Sequence, residues 1–209
     1  MGYAIGKAEL DKWITLINAE NPDIVLIAGD ITDNHIKPLI EQNYSFENIK
    51  SRYGVYACLG NHEYIPNESK ITHSLDFLNK AKVTVLRDSA ILINDEFYLI
   101  GRDDYIVWER KPISELLKTL DVTKPFILLD HQPFNLAEAE KNGIDLQFSG
   151  HTHHGQLIPV SWITKLMYEI SHGYLRKGNS HFYVSSGIGI WGGKFRIGTQ
   201  SEYVVINLE

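Results

Sequence analysis

The sequence is poor in features that would mark several common classes of protein. Cys58 is its one cysteine among 209 residues, which excludes an intramolecular disulfide and a cysteine-rich zinc site. No apolar run approaches the roughly 18 residues of a membrane-spanning helix. The first residues lack the charged-then-apolar pattern of a signal peptide. A cytosolic place, or one peripheral to a membrane, is the expectation. Basic runs are missing as well, and the net charge is −6. A broad nucleic-acid footprint needs clustered Lys and Arg, so no nucleic-acid partner is indicated. An anionic substrate stays open, because a bound metal can supply the positive charge. With no internal repeat, low-complexity segment or linker, one domain over residues 1–209 is expected.

What is present suits a soluble protein with a sizeable core: 44% hydrophobic and 22% charged residues. Leu10, Trp13, Ile14 and Ile17 recur at helical spacing, so Lys7 to Ala19 reads as a helix stopped by Asn21-Pro22. Further helices are expected over Phe46 to Arg52, from a Ser69 cap to Ala81, over Ile113 to Leu120 and over Asn135 to Lys141. Ile24 to Ala28, Val55 to Leu59, Phe126 to Leu129 and Asp145 to Phe148 read as buried strands. Val83 to Leu86, Ala90 to Ile93 and Phe97 to Ile100 read as three short strands in tight succession, with Asn94-Asp95 as a turn. The tail is expected to be β-rich: Gly173 to Arg176, His181 to Ser185 and Tyr203 to Leu208. Alternating strands and helices imply an α/β layer architecture, with a second, more antiparallel sheet.

Four strands run directly into a residue able to bind a metal: Asp30, Asn61, His131 and His151. Open α/β sheets bind ligands beyond the carboxyl ends of their strands. The last of these leads the stretch Gly150-His151-Thr152-His153-His154-Gly155, where neutral imidazoles, the commonest protein metal ligands, sit between glycines that let the backbone approach an ion. Asp30 offers two oxygens, Asn61 an amide oxygen, and His131, His151 and His153 nitrogens. Such a nitrogen and oxygen set suits Mn, Fe, Zn or Co rather than Ca or Mg. Two such ions roughly 3.5–4 Å apart can polarise a phosphoryl oxygen and activate a bridging hydroxide to attack phosphorus. His62, beside Asn61, is placed to give the leaving oxygen a proton.

Gly29-Asp30, Gly60-Asn61-His62-Glu63, His131 and Gly150-His151-Thr152-His153 resemble, in order and spacing, the calcineurin-like metallophosphoesterases. The tail from Val184 through Trp191 to Phe195-Arg196 is similar to a bacterial subgroup whose members often carry an N-terminal membrane segment. The resemblance implies a four-layer αββα sandwich of the metallophosphoesterase type with a dinuclear site of divalent or mixed-valence ions. It implies that Asp30 bridges the metals, that Asn61, His131 and His151 complete one, and that His153 belongs to the other. His62 is similar to the family's proton donor and phosphate contact; Arg196 is a further candidate for binding the anion. The expected activity is hydrolysis of a phosphodiester or phosphomonoester. A non-catalytic scaffold of the same fold, or an inactive fragment, is the alternative.

Other groups have plainer expected roles. Glu63 should support the site rather than ligate. Asp130 either orients His131 or ends a strand. Arg102, Asp103 and Asp104 either bind an anion or form salt bridges. Asp33 reads as a turn residue, His35, His73, His172 and His181 as surface or sheet residues, and Cys58 as core. Leu157 to Ile163, with Leu166-Met167-Tyr168, reads as a core strand and helix. As an apolar lip beside the metals it would suit a lipid-linked phosphate or a membrane surface.

One family feature is not found. Members open with a strand ending in Asp-x-His, whose two residues ligate the first metal, and no Asp-x-His precedes Gly29-Asp30. Met1 falls at or just beyond that motif's His. The natural protein is therefore expected to be longer. The 209-residue chain is expected to lack the first strand, to be poorly stable, to hold at most one metal well and to be nearly inactive.

Overall fold

The computed structural model describes residues 5–32, 37–41, 46–65 and 68–208. Met1 to Ala4, Asp33 and His35 lie outside those residues. Helix α1 (Lys7–Ala19) has the expected bounds and buries Leu10 and Ile14, one turn apart on a single face. Strand β1 (Val25–Ala28) pairs in parallel with β2 (Val55–Cys58), which pairs in parallel with β3 (Val83–Val85). Between them lie the short helix α2 (Lys37–Glu41) and a single tight turn at Phe46–Asn48, where a longer helix to Arg52 was expected. Tyr53 and Val25 are drawn instead into main-chain bonds with Asp23 and Gly54, which lead straight into the β1–β2 ladder. After β2 come α3 (Asn61–Tyr64) and α4 (Glu68–Lys80); α4 begins one residue before the Ser69 expected to cap it.

The second sheet contains β4 (Ser89–Ile93), β5 (Phe97–Gly101), β6 (Phe126–Leu129), β7 (Leu146–Ser149), β8 (Gly173–Lys177) and β9 (Ser180–Val184). Its order is β4-β5-β6-β7-β9-β8, with antiparallel pairs at both ends and parallel pairs in the middle. The three short strands expected in tight succession are therefore split between the sheets. β3 stays in the first sheet, and the chain then passes to the second sheet at Leu86, whose N–H donates to Ala57. Gly101 lies so close to Leu86 that a side chain there would collide with it.

Side-chain alternation along the strands builds four layers, as expected. On β2, Val55 and Ala57 face α1 and α4, with Leu78 and Phe77 beside them. Cys58 and Tyr56 face the other way, onto Leu99, Ile127 and Leu129 of the second sheet. On β6, Phe126 and Leu128 face away again, onto α5 (Ile113–Leu117) and α6 (Leu136–Lys141). The order is helix, sheet, sheet, helix. No described helix is long and apolar enough to cross a membrane.

Two expectations at the C-terminal side fail. Residues 201–208 form no strand; Val205 and Leu208 are exposed and have no ladder partner among the described residues. The segment after His154 is not core. It forms α7 (Val160–Met167), whose Trp162, Ile163, Leu166 and Met167 all face outward.

Candidate metal centre

Parallel pairing puts the carboxyl ends of β1 and β2 at one edge of the first sheet and those of β6 and β7 at one edge of the second. β1 and β6 approach across the interface, so the four strand-end loops meet. The approach needs glycine. Gly29 has φ +82°, and a Cβ there would lie 2.6 Å from both the Gly60 nitrogen and His131 Nδ1. A Cβ on Gly60 would strike the Asp30 carboxylate. Asp30 and His151 themselves have positive φ, 53° and 64°. Such strain in non-glycine residues is retained where surrounding structure over-determines it, often at functional sites.

Glu63 locks the first two loops together. It stands three residues after Gly60 and accepts the Gly60 N–H at 2.8 Å, the reciprocal contact of a helix-capping box. The same carboxylate accepts the N–H groups of Asp30 at 2.9 Å and Thr32 at 2.7 Å, and the Thr32 hydroxyl at 3.0 Å. Burial, with Asp30 nearby, raises its pKa, and the N–H groups oppose that shift.

The donors then converge. Asp30 Oδ1 accepts the His62 N–H at 3.0 Å, while Oδ2 lies 3.1 Å from His131 Nε2. Asn61 Oδ1 lies 2.9 Å from His151 Nδ1 and 3.3 Å from His131 Nε2. His131 Nδ1 sits 2.5 Å from the Ala28 carbonyl. Donating there turns Nε2 toward the cluster, the usual way in which the second ring nitrogen orients a metal-binding histidine. The ligand atoms of Asp30, His131 and His151 all lie within 4.8 Å of one another.

Electrostatics favour an ion at this place. Burial would raise the Asp30 carboxyl, but the facing His131 outweighs it and holds the group far below the usual range. Burial likewise favours a neutral His131, yet the Asp30 charge pushes its pKa up to about 9. A cation would take over the role of that proton. Burial pushes His151 and His153 down to about 4, so both rings are neutral at neutral pH and free to ligate. His153 Nδ1 is buried with no hydrogen-bond partner. His153 is not among the three residues whose ligand atoms cluster within 4.8 Å, but Asp30, His131 and His151 all act on its charge, and an orphaned buried ring nitrogen fits a metal ligand at the rim of that cluster. The donor set of nitrogens and oxygens without thiolate fits a divalent metal ion. His62, the second residue of α3, is half-buried and close enough to Asp30 and His151 to affect the charge of both.

The remaining candidates fall elsewhere. The Arg196 guanidinium, expected at the substrate, donates to the carbonyls of His153 at 2.9 Å, Ser186 at 2.7 Å, Gly187 at 3.2 Å and Gly189 at 2.7 Å. It ties the tail to the metal loop. Asp130 turns away from His131 and pairs with Arg110 at 3.1 Å and Arg102 at 3.4 Å. Arg102 also grips Glu138, and Asp103 is paired with Arg87, so these groups are salt-bridged. His154 leaves the cluster and stacks on His172, ring centroids 4.1 Å apart. His73 is exposed on α4 and Cys58 is fully buried.

Sequence reasoning missed three things: the four-donor reach of Glu63, the Gln132 amide donating to Asp104, and the aromatic run Tyr105–Phe134–Tyr168 that ends against His151. The capping-box spacing from Gly60 to Glu63 was a usable signal for the first. The others depend on contacts between loops distant in sequence.

The family of calcineurin-like phosphoesterases matches residues 5–155. An uncharacterized metallophosphoesterase of Helicobacter pylori is 37% identical over all of this chain and 57% of its own length. One from Aquifex aeolicus is 35% identical over 91% of this chain and 74% of its own. The Danio rerio transmembrane protein with metallophosphoesterase domain is 31% identical over all of this chain and 51% of its own length. The chain thus spans little more than half of several relatives. The NAD nucleotidase of Haemophilus influenzae shares the fold, with TM-score 0.51 and 17% identity over 87% of this chain and 39% of that one. With strand-end donors, a four-layer sandwich and a family match across residues 5–155, the chain belongs to the calcineurin-like phosphoesterase family.

Proposed function

We propose that this chain is the catalytic region of a metal-dependent phosphohydrolase acting on phosphodiesters or phosphomonoesters. The observation that carries the reading is the convergence of Asp30, Asn61, His131 and His151 from four strand ends onto one point. Those four residues would hold one ion, and Asp30 with His153 would begin a second position. Bound there, Mn, Fe, Zn or Co supplies Lewis-acid polarisation of a phosphoryl oxygen and lowers the pKa of bound water.

The chain's own residues do the rest. His131 is held by Ala28 so that Nε2 stays aimed at the cluster. Glu63 fixes the Asp30 and Asn61 loops in register, so the donors are preorganised before any ligand arrives. His62 lies one residue beyond Asn61 and would protonate the leaving oxygen. Tyr168 sits edge-on to the His151 ring, and Phe134 packs on Tyr168 behind it.

The protein would work in the cytosol or at a membrane surface; the zebrafish and cattle relatives of this region are named as transmembrane proteins. The reading is tested on the full-length protein with chromogenic phosphate mono- and diesters and added divalent metals. Turnover that is lost in Asp30→Asn and His151→Ala supports it. Absence of turnover with Mn, Fe, Zn and Co alike argues for a scaffold.

A further inference from the structure

Helix α7 is built inside out. Its small polar Ser161 faces the protein, packed so closely on Gly155 that a side chain on that glycine would collide with it. Its large apolar residues face water: Trp162 62% exposed, Ile163 54%, Leu166 89% and Met167 59%. Positions 162, 166 and 163, 167 are each one turn apart, so they share a face. A water-facing helix normally shows the opposite pattern.

A second segment extends this surface. Gln156 donates to the Trp191 carbonyl at 2.7 Å and accepts the Trp191 N–H at 2.9 Å, while Ile158 N–H donates to Ile197 at 3.1 Å. The loop carrying exposed Trp191 and Phe195 is thereby fastened to the foot of α7. Arg196 fastens the same loop to His153.

Charge sets this face apart. The chain holds 26 acidic residues and a net charge of −6, yet residues 146–168 and 184–201 contain no Asp or Glu, and the acids that follow them, Glu169 and Glu202, are taken up by Lys177 and His172. The two segments contain Lys165, Lys194 and Arg196. Lys165 and Lys194 are exposed, and neither has a salt-bridge partner among the described residues. Trp and Leu at the surface with Lys at their edge is the composition of a helix lying in a bilayer interface. A second copy of the chain would bring further lysines and no carboxylate from these segments to pair with them, which disfavours self-association.

We propose that this face docks on an anionic lipid bilayer. Trp162, Leu166 and Met167 enter the boundary between headgroups and acyl chains, and Lys165 and Lys194 meet the lipid phosphates. Docking would bring the loop of His153 to the membrane surface. The claim concerns the surface and stands whether or not the metal site turns over an ester.

The test is sedimentation of the full-length protein, as soluble protein or after release from any anchor, with vesicles of mixed phosphatidylcholine and phosphatidylglycerol, and with phosphatidylcholine alone. Co-sedimentation is expected with the mixed vesicles and not with the neutral ones. Leu166→Asp and Trp162→Asp should each weaken it severalfold, and Lys165→Glu with Lys194→Glu by roughly tenfold or more. Val122→Asp, at a side chain 79% exposed ahead of the amino end of β6 and so at the sheet edge opposite the His153 loop, should bind as the parent does. Unchanged circular dichroism in each variant separates lost docking from lost fold. The proposal is overturned by no binding to mixed vesicles, by equal binding to neutral vesicles, or by Leu166→Asp binding as the parent does. A concentration-dependent dimer that Leu166→Asp abolishes, without vesicle binding, also overturns it.

Discussion

The carboxylate of Glu63 accepts the main-chain N–H of Asp30 at 2.9 Å, although the two residues follow different strands and each is an acid that raises the other's cost of ionising. Asp30 can tolerate this neighbour because His131 faces its other side at 3.1 Å. The site is thus assembled through the backbone first, and its ligand side chains are aimed second.

Replacing Glu63 by Ala should strip buried N–H groups of Asp30, Thr32 and Gly60 of their acceptor. The cost should be about 3 kcal/mol or more, since each unsatisfied buried group costs roughly 1–3 kcal/mol. A urea denaturation midpoint would show it. An unchanged midpoint would mean that the loops hold without this residue.

His62→Asn should act differently. Proton donation by a positioned side chain contributes roughly 10²–10⁴-fold, so kcat should fall by that order while metal content stays the same. Equal kcat in parent and variant would remove His62 from the chemistry.

Asp130 is buried between Arg102 and Arg110. Asp130→Ala leaves Arg110 without its carboxylate and should cost about 3–5 kcal/mol in stability. Metal affinity measured well below the unfolding temperature should change little, because Asp130 does not touch His131. A variant of full stability, or one that loses metal while folded, would contradict that assignment.

Glu138 carries a pH dependence. Burial would raise its carboxyl, but the Ile113 N–H and the Arg102 guanidinium hold it below the usual 4.5. A carboxyl depressed in the folded state adds stability that is complete above its unfolded pKa and is lost as pH falls through the folded value. Glu138→Gln should therefore flatten the acid side of a plot of Tm against pH below about 4.5, with little change in slope at neutral pH. A slope that stays the same on the acid side would show that Glu138 does not contribute.

Much of this was legible in the sequence. The apolar run Phe126 to Leu129 and the periodicity of Lys7 to Ala19 fixed β6 and α1 to the residue, because each signal is long for its element or bounded by strong stops. The four strand-end donors could be read because a residue that follows a buried strand must lie at the sheet edge. β3 was read in succession with β4 and β5 because short strands carry no mark of which sheet they join. The segment after His154 was read as core because apolar residues at helical spacing imply a buried face; only its packing on Gly155 through Ser161 shows that the face is reversed. Asp130 was ambiguous because its partners, Arg102 and Arg110, reach it from another loop.

The most direct test of the central claim is the initial rate of chromogenic phosphodiester hydrolysis by the metal-stripped full-length protein as Mn²⁺ is added back. The account expects a rate that rises saturably with Mn²⁺ and that Asp30→Asn reduces to the uncatalysed background. A rate that stays at background at every Mn²⁺ concentration, or one that Asp30→Asn leaves unchanged, would contradict it.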